Sequence, residues 1–224
     1  MQFQKINEKI IIVDFGSQVT KLIARRIREL GVFSEIITPS EVPKLKNFAS
    51  IKGIILSGGP STVTKSNYQS IPKTIFNKNI PILGVCYGLQ LISKLFGGNI
   101  KSSKKKREFG RTFIFKSQES LLTKNFFKSK SAVWMSHEDA VVKLPKNFKS
   151  IAFTKDSKLT AIEDKKKRIY GVQFHPEVSH TDNGRQIFKN FLFLICKIKK
   201  RWNVVSQKNR LISEVKQTVK SDKV

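Results

Sequence analysis

Apolar and polar residues alternate along the first half of the chain in blocks that predict strands followed by helices. The run from Lys9 to Val13 predicts a buried strand, and a helix-spaced apolar set then leads up to Gly31: Val19, Leu22, Ile23, Ile27 and Leu30. Apolar runs at 33–37, 53–56 and 82–85 predict further strands, and helices are expected at 68–77 and 89–96. This alternation predicts an α/β fold, an open and mostly parallel sheet with helices on both faces.

The second half of the chain has a different pattern. Short strand-like runs at 112–115, 132–135, 151–154, 159–163 and 169–174 predict a smaller antiparallel portion on one side of the sheet. A closing helix is expected at 183–198. We therefore predict one domain over residues 8–197 and a linker over 198–224, in which an amphipathic helix would be formed by Leu211, Ile212, Val215 and Val219.

Cys86 lies between the predicted strand at 82–85 and the helix that follows it. The frame Gly84-x-Cys86-x-Gly88 is the cysteine form of a nucleophile elbow, in which glycines allow a sharp strand-to-helix turn to expose one side chain. The helix N-terminus under the sulfur favours the thiolate. A cysteine that only packs in the core is the alternative, and the surrounding frame favours catalysis.

His175 is the candidate base for this nucleophile. It ends the apolar run at 169–174 and precedes Pro176, which disfavours helical backbone at His175. Glu177 could accept the ring N–H and stabilise the imidazolium, as the third member of a catalytic triad does. The alternative interpretation is a structural histidine at the end of a strand, with its hydrogen bonds satisfied, beside a solvated glutamate.

A Gly-Gly turn follows the predicted strand at 53–56. Such a turn can aim backbone N–H groups at a developing oxyanion, and the N–H of Gly59 together with that of Tyr87 would make a two-donor hole. The turn alone is a weak signal. Because parallel sheets gather the carboxyl ends of their strands in one crevice, the turn, Cys86 and His175 are expected to meet there.

Composition narrows the function classes. The formal net charge is +27, but the lysines are scattered and far outnumber the arginines, which argues against a specific nucleic-acid site. No apolar run approaches the ~20 residues that span a membrane, and residues 1–10 lack a signal-peptide core. Two distant cysteines, one of them Cys86, predict a reducing, cytoplasmic location. No metal site is predicted.

Several motifs together resemble the class I, or triad, glutamine amidotransferases: VCYGLQ at 85–90, FHPE at 174–177 and SGGP at 57–60. Further segments resemble the glutaminase part of GMP synthases: DFGSQ at 14–18, REFG at 107–110, VWMSH at 133–137 and HPEVSHT at 175–181. The resemblance covers about residues 8 to 197. It implies hydrolysis of glutamine through a thioester on Cys86, with His175 and Glu177 as the other catalytic residues and Gly59 and Tyr87 as the oxyanion hole.

The resemblance also implies a substrate site and a partner. Gly58, Gln90, Ser136 and His137 would hold the glutamate portion of glutamine. The ammonia would pass to an ATP pyrophosphatase domain or subunit that uses ATP and Mg²⁺ to convert xanthosine monophosphate (XMP) to GMP. No cofactor is expected in this chain, because it carries no phosphate-binding loop for ATP. The chain would be either a natural split subunit or the excised glutaminase half.

One segment departs from the family pattern. After Ser136 and His137 the family usually has Gly-Asp-Lys, whereas this chain has Glu138, Asp139 and Ala140. We expect Glu138 to crowd the substrate or repel its carboxylate, and the missing lysine to weaken coupling to the partner. Chemistry is expected to survive with lower affinity or weaker coupling.

Two other functions are compatible with parts of the sequence. An amidotransferase could serve another acceptor, such as chorismate, although the DFGSQ and VWMSH segments and the tail argue against this. A non-catalytic binding module could keep the fold without turnover. Glu138 and the lack of a second domain are compatible with that hypothesis, and the intact set of Cys86, His175 and Glu177 argues against it.

Overall fold

The computed structural model describes residues 8–102, 107–129 and 131–203, with isolated positions between 205 and 219. Within the predicted tail helix, Ile212, Val215 and Val219 are helical, whereas Leu211 lies outside the described residues. The predicted division of the chain between residues 197 and 198 stays a prediction.

The described residues form a nine-stranded sheet and a separate two-stranded sheet. The order in the large sheet is β2-β1-β3-β4-β11-β10-β9-β6-β7, and β5 pairs with β8 in the small one. The strands are β1 (Lys9–Val13), β2 (Ser34–Ile37), β3 (Ile51–Leu56), β4 (Ile82–Val85), β5 (Asn99–Ser102), β6 (Glu108–Lys116), β7 (Ser131–His137), β8 (Asp139–Lys143), β9 (Lys149–Phe153), β10 (Ala161–Asp164) and β11 (Ile169–Val172).

Five neighbouring strands of the large sheet are parallel. They are β2, β1, β3, β4 and β11, and the remaining four, β10, β9, β6 and β7, continue the sheet in antiparallel pairs. The predicted α/β class with a mostly parallel sheet and a smaller antiparallel portion is confirmed. The run at 169–174, expected in the antiparallel portion, joins the two portions: β11 pairs antiparallel with β10, as expected, but in parallel with β4.

Among the described residues, three α-helices cover the two faces of the large sheet. Helices α1 (Thr20–Glu29) and α3 (Gly184–Lys189) pack on one face, and α2 (Tyr87–Leu95) packs on the other. Successive residues of β1 contribute to both sides, since Ile10 and Ile12 join the first core and Ile11 and Val13 join the second. A strand that is apolar on both faces is typical of a buried parallel sheet.

Two predicted helices differ from the observed chain. Residues 68–77 form only a short 3₁₀ turn, Lys73–Asn77, because Pro72 has extended backbone before it and only Ile75 and Phe76 of the turn are buried. The predicted closing helix begins as α3 and continues as a π-helical segment, Asn190–Ile195, which keeps Phe191, Leu192 and Ile195 in the core.

Glycines allow β4, α2 and β3 to approach each other closely. A methyl group on Gly84 would lie 2.5 Å from the carbonyl carbon and oxygen of Gly88, and one on Gly88 would collide with the Leu56 carbonyl oxygen. The N–H of Gly88 donates to the Ser57 carbonyl oxygen at 3.1 Å. The start of α2 is therefore held against the ends of two strands, and no larger residue fits at either glycine.

Phenylalanines are exposed along one face of β6. Phe109, Phe113 and Phe115 lie at positions of the same parity, so their side chains share a face, and each is at least half exposed. Arg111 lies on the same face and forms an ion pair with Asp182 at 3.1 Å. We call Phe109, Phe113 and Phe115 the phenylalanine face.

We predict that Gly84→Ala lowers the free energy of unfolding by about 3 kcal/mol, because the added methyl overlaps backbone atoms that cannot move freely. Gly97→Ala is the control, since Gly97 has a φ of +86° but nothing within 4 Å of an added methyl. That change should cost about 1 kcal/mol, from backbone strain alone. Urea unfolding of both variants tests the difference, and equal costs would contradict the close contact at Gly84.

Candidate active site

Cys86 occupies the turn between β4 and α2. Its φ of 50° and ψ of −103° lie in a region that non-glycine residues rarely adopt. The backbone is held there from two sides: the Cys86 N–H donates to the Val172 carbonyl oxygen at 2.8 Å, and the N–H groups of Leu89 and Gln90 donate to the Cys86 carbonyl oxygen. The strained turn places the thiol at the N-terminus of α2, as the elbow frame predicts.

His175 and Glu177 form a buried pair directly after β11. His175 Nδ1 lies 2.7 Å from Glu177 Oε1, and the Glu177 side chain is completely buried. The His175 N–H donates to the Trp134 carbonyl oxygen at 3.0 Å, and Arg26 Nε donates to the Glu177 carbonyl oxygen at 3.0 Å. These contacts therefore fix both the backbone of His175 and the orientation of its imidazole ring.

The charges around His175 favour its protonated form. Burial lowers the pKa of His175, but hydrogen bonds with Cys86 and Glu177, together with the negative charge of both partners, outweigh burial and raise the pKa from 6.5 to about 10. The ring is therefore an imidazolium at neutral pH. A protonated His175 in contact with Cys86 stabilises a thiolate and can later donate a proton.

A cavity of about 630 Å³ opens beside Cys86, a volume typical of ligand pockets. Gly59, Tyr87 and Gln90 line it, as do Ser136 and His137. The structure therefore brings seven of the predicted site residues to Cys86 and its cavity, counting His175 and Glu177. Gly58 does not line this cavity, and a methyl group there would lie 3.3 Å from the His175 ring.

The predicted oxyanion donors lie at the start of α2 and in the turn after β3. Tyr87 is the first residue of α2, so its N–H has no partner within the helix. Gly59 packs against Phe15, and a methyl group at Gly59 would lie 2.7 Å from the Phe15 carbonyl oxygen. Only glycine fits there, which fixes the path of the turn past the cavity.

The two residues at the end of β7 contribute in different ways. The Ser136 carbonyl oxygen lies 3.7 Å from Cys86 Sγ. The His137 side chain points inward, where its Nε2 lies 3.2 Å from Glu108 Oε2 without hydrogen-bond geometry, and both side chains are buried. Glu108 in turn accepts a hydrogen bond from Thr154 at 2.6 Å. The imidazole of His137 is therefore buried against the Glu108 carboxylate.

Glu138 lies on the cavity rim, where the sequence departs from the family pattern. Its carboxylate is more than half exposed and lies 3.4 Å from the Arg107 guanidinium. Arg107 offsets part of the negative charge that we expected Glu138 to bring, although an exposed pair of this kind is weak. Ala140 is buried in β8, opposite Lys101 of β5.

Sequence reasoning missed Gln173, which contacts Cys86. Gln173 Nε2 lies 3.6 Å from Cys86 Sγ, and the residue is buried. Its position two residues before His175 is a signal that could have found it, because alternate residues of an extended segment point to the same side.

A second cavity of about 350 Å³ also borders Cys86. Ser17, Trp134 and His175 line this cavity, and none of the three lines the larger one. Ser17 and Trp134 were named in the sequence only as parts of motifs.

The described parts of the chain contain no group of three or more His, Cys, Asp or Glu side chains that could hold a metal ion. In the same described residues, no helix has the length and apolar character needed to cross a membrane.

The sheet and site together define an α/β protein with a cysteine at a strand-to-helix elbow and a His-Glu pair beside it. The family model for glutamine amidotransferase class-I matches residues 11–195. The chain therefore belongs to the class I glutamine amidotransferase family.

Curated relatives resemble this chain over almost its whole length. The chain is 46% identical over 222 residues to GMP synthase (glutamine-hydrolyzing) of Treponema denticola, covering 99% of this chain and 42% of that protein. It is 42% identical over 230 residues to the enzyme of the same name from Staphylococcus carnosus, covering 100% and 43% respectively. The chain thus spans about two fifths of the length of these relatives.

Solved structures share the fold. A protein from Thermoplasma acidophilum, provisionally assigned as one subunit of a GMP synthase, is similar with a TM-score of 0.72 and 30% identity, covering 92% of this chain and 98% of that one. A glutamine amidotransferase from Thermotoga maritima has a TM-score of 0.66 at 18% identity, which supports the fold alone.

We predict that Glu177→Gln flattens the pH dependence of stability. Because the folded-state pKa of His175 lies above its ordinary value of 6.5, the pair stabilises the fold fully below about pH 6.5 and loses this contribution as the pH rises through about 10. Removing the carboxylate charge lowers the pKa of His175, so the variant should lose less stability than the wild type between pH 7 and pH 10.

Urea unfolding at both pH values measures this loss, with the exposed Glu138→Gln as control. If Glu177→Gln and the wild type lose equal stability over this interval, the buried pair does not hold the proton on His175.

Proposed function

We propose that this chain hydrolyses glutamine to glutamate and ammonia, with Cys86, His175 and Glu177 as catalytic residues. The observation that carries the proposal is the thiol of Cys86 at the strained N-terminus of α2, in hydrogen-bond contact with an imidazole that is itself paired to a buried carboxylate. Membership of the class I amidotransferase family supports this chemistry.

The first half of the reaction forms a thioester. Glutamine occupies the larger cavity with its amide carbon at Cys86 Sγ, and the sulfur attacks that carbon. The N–H groups of Gly59 and Tyr87 stabilise the oxyanion, and the loss of one such donor typically costs about 3 kcal/mol of barrier. His175 gives its proton to the departing amine, so ammonia leaves and the γ-glutamyl thioester remains.

The second half releases glutamate. The now neutral His175 accepts a proton from water, the resulting hydroxide attacks the thioester carbon, and the carbon–sulfur bond breaks to regenerate the thiolate. Glu177 keeps the ring in position and stabilises the imidazolium that re-forms. Gln90, Ser136 and His137 lie on the cavity wall, where the glutamate portion of the substrate would be held.

We propose that the ammonia serves the amination of XMP to GMP. The similarity to GMP synthases over the whole chain supports this acceptor, and the greater length of those relatives leaves room for a synthetase domain or subunit. ATP and Mg²⁺ would act in that partner, and no step assigned to this chain uses them. Chorismate as acceptor has no comparable support. The assembled triad disfavours a non-catalytic module.

We predict that a glutamine-mimicking chloroketone adds once to the protein, at Cys86. The matched control is Cys196, the other cysteine, because its burial raises the pKa of its thiol and leaves it unreactive. Intact-mass measurement should show one adduct in the wild type and in Cys196→Ala, and none in Cys86→Ala. Glutaminase activity should fall by at least about 10⁴-fold in Cys86→Ala only.

An adduct on Cys86→Ala, or equal labelling of both single variants, contradicts the assignment of the nucleophile. Labelling of Cys86 with no ammonia release, even when a GMP synthase synthetase domain is added, contradicts the proposed glutaminase reaction.

We predict that Glu138→Gly lowers the glutamine KM by about two- to fivefold and leaves kcat unchanged, because it removes a rim carboxylate that repels the substrate carboxylate. Glu119→Gly, which removes an exposed carboxylate paired with Lys116 away from the site, is the control and should leave the KM unchanged. Steady-state kinetics decide this, and an unaltered KM in Glu138→Gly contradicts the expected repulsion between the rim carboxylate and the substrate.

A further inference from the structure

Gln173 is placed beside Cys86 by the pairing of two strands. Val172 of β11 lies opposite Val85 of β4, so the next residue of each strand, Gln173 and Cys86, are also neighbours. The Gln173 N–H donates to the Thr160 carbonyl oxygen at 2.7 Å, which fixes the backbone there. Gln173 is only 1% exposed, so its side-chain amide must find partners inside the protein.

The extended backbone after β11 aims two side chains at the same atom. Gln173 and His175 lie on one side of the segment, and both contact Cys86. Phe174 lies between them and points to the opposite side, where its ring stacks on Phe126 at 5.7 Å in the core. The stacking of Phe174 therefore holds the residues on either side of it toward the sulfur.

A chain of hydrogen bonds fixes which end of the Gln173 amide faces the sulfur. The Asp139 carbonyl oxygen can only accept, so the Gln90 group 2.8 Å from it must be the NH₂. That NH₂ lies 3.5 Å from the Gln173 side-chain oxygen. If the Gln173 amide were reversed, its NH₂ would face the Gln90 NH₂, and two donors would oppose each other. The Gln173 NH₂ must therefore be the group that faces Cys86 Sγ.

We propose that Gln173 is a positioning residue that donates a hydrogen bond to the Cys86 thiolate and links it, through Gln90, to the wall of the glutamine cavity. This inference rests on the proposed glutaminase function. A donor held in one orientation stabilises the charged sulfur more than the neutral thiol. Because Gln90 and Asp139 line the cavity, a ligand that moves Gln90 also changes the restraint on the Gln173 amide.

The test uses Gln173→Met, which keeps the length of the side chain and removes the donor, and Gln173→Glu, which keeps the shape and adds negative charge. The first readout is the pH of half-maximal alkylation of Cys86 by iodoacetamide, which does not need glutamine turnover. We expect this pH to rise by about one unit in Gln173→Met and by more in Gln173→Glu.

The second readout separates kcat from KM. Gln173→Met should lower kcat about tenfold and change the glutamine KM less than twofold, because the lost bond is to the sulfur and not to the substrate. Gln186→Met is the matched control: Gln186 bonds Asn190 and lines neither cavity beside Cys86, so both readouts should stay at wild-type values.

A double variant tests the link through Gln90. Gln90→Met should also raise the alkylation midpoint, because it frees the Gln173 amide to turn. The double variant Gln90→Met/Gln173→Met should shift the midpoint no further than Gln173→Met alone. A purely structural Gln173 would instead lower the urea midpoint of unfolding in Gln173→Met and leave the alkylation midpoint unchanged, which overturns the proposal.

The outcomes also separate this inference from the proposed function. If the wild type has normal glutaminase activity and Gln173→Met has the same alkylation midpoint and kcat as the wild type, the role of Gln173 is overturned and the proposed function stands. A shifted alkylation midpoint in a protein that never releases ammonia supports the role of Gln173 and contradicts the glutaminase proposal. If Gln173→Met does not fold, Gln173→Glu supplies the same alkylation readout, and an unshifted midpoint there overturns the role of Gln173.

Discussion

The register between β4 and β11 is the constraint on which the candidate site depends. Val85 pairs with Val172 in parallel, so the elbow at Cys86 and the segment that carries His175 leave the sheet side by side in the same direction. A slip of one residue would turn His175 away from the sulfur, because alternate residues of a strand point to opposite faces. The glycines under the elbow and the hydrogen bond from Cys86 to Val172 hold that register.

The charges of the site balance each other in a buried space. Glu177 is inaccessible to solvent, and an unpaired carboxylate there would be costly. Protonated His175 compensates it and at the same time faces Cys86, so the imidazolium lies between the Glu177 carboxylate and the Cys86 sulfur. Because the imidazole contacts both groups, a change at either Cys86 or Glu177 alters the pKa of His175.

Much of the site could be predicted because its signals are local. The glycine frame around Cys86 and the Pro that follows His175 report backbone geometry directly, and the apolar runs report buried strands. Two features could not be predicted in this way. The position of β11 between a parallel and an antiparallel neighbour could not be predicted, because an apolar run fits both kinds of neighbour equally. The contact of Gln173 with the sulfur depends on that same position.

The phenylalanine face has a consequence for how the isolated chain behaves in solution. Phe109 belongs both to this face and to the lining of the larger cavity, so the exposed apolar surface extends to the cavity. A formal net charge of +27 keeps molecules apart at low ionic strength. Salt shortens the range of that repulsion from about 10 Å at 0.1 M to about 3 Å at 1 M, but it does not reduce the exposed apolar area of the phenylalanine face. Colloidal stability therefore depends on the balance between charge repulsion and apolar attraction at the phenylalanine face. Concentrated salt shifts this balance toward association through β6.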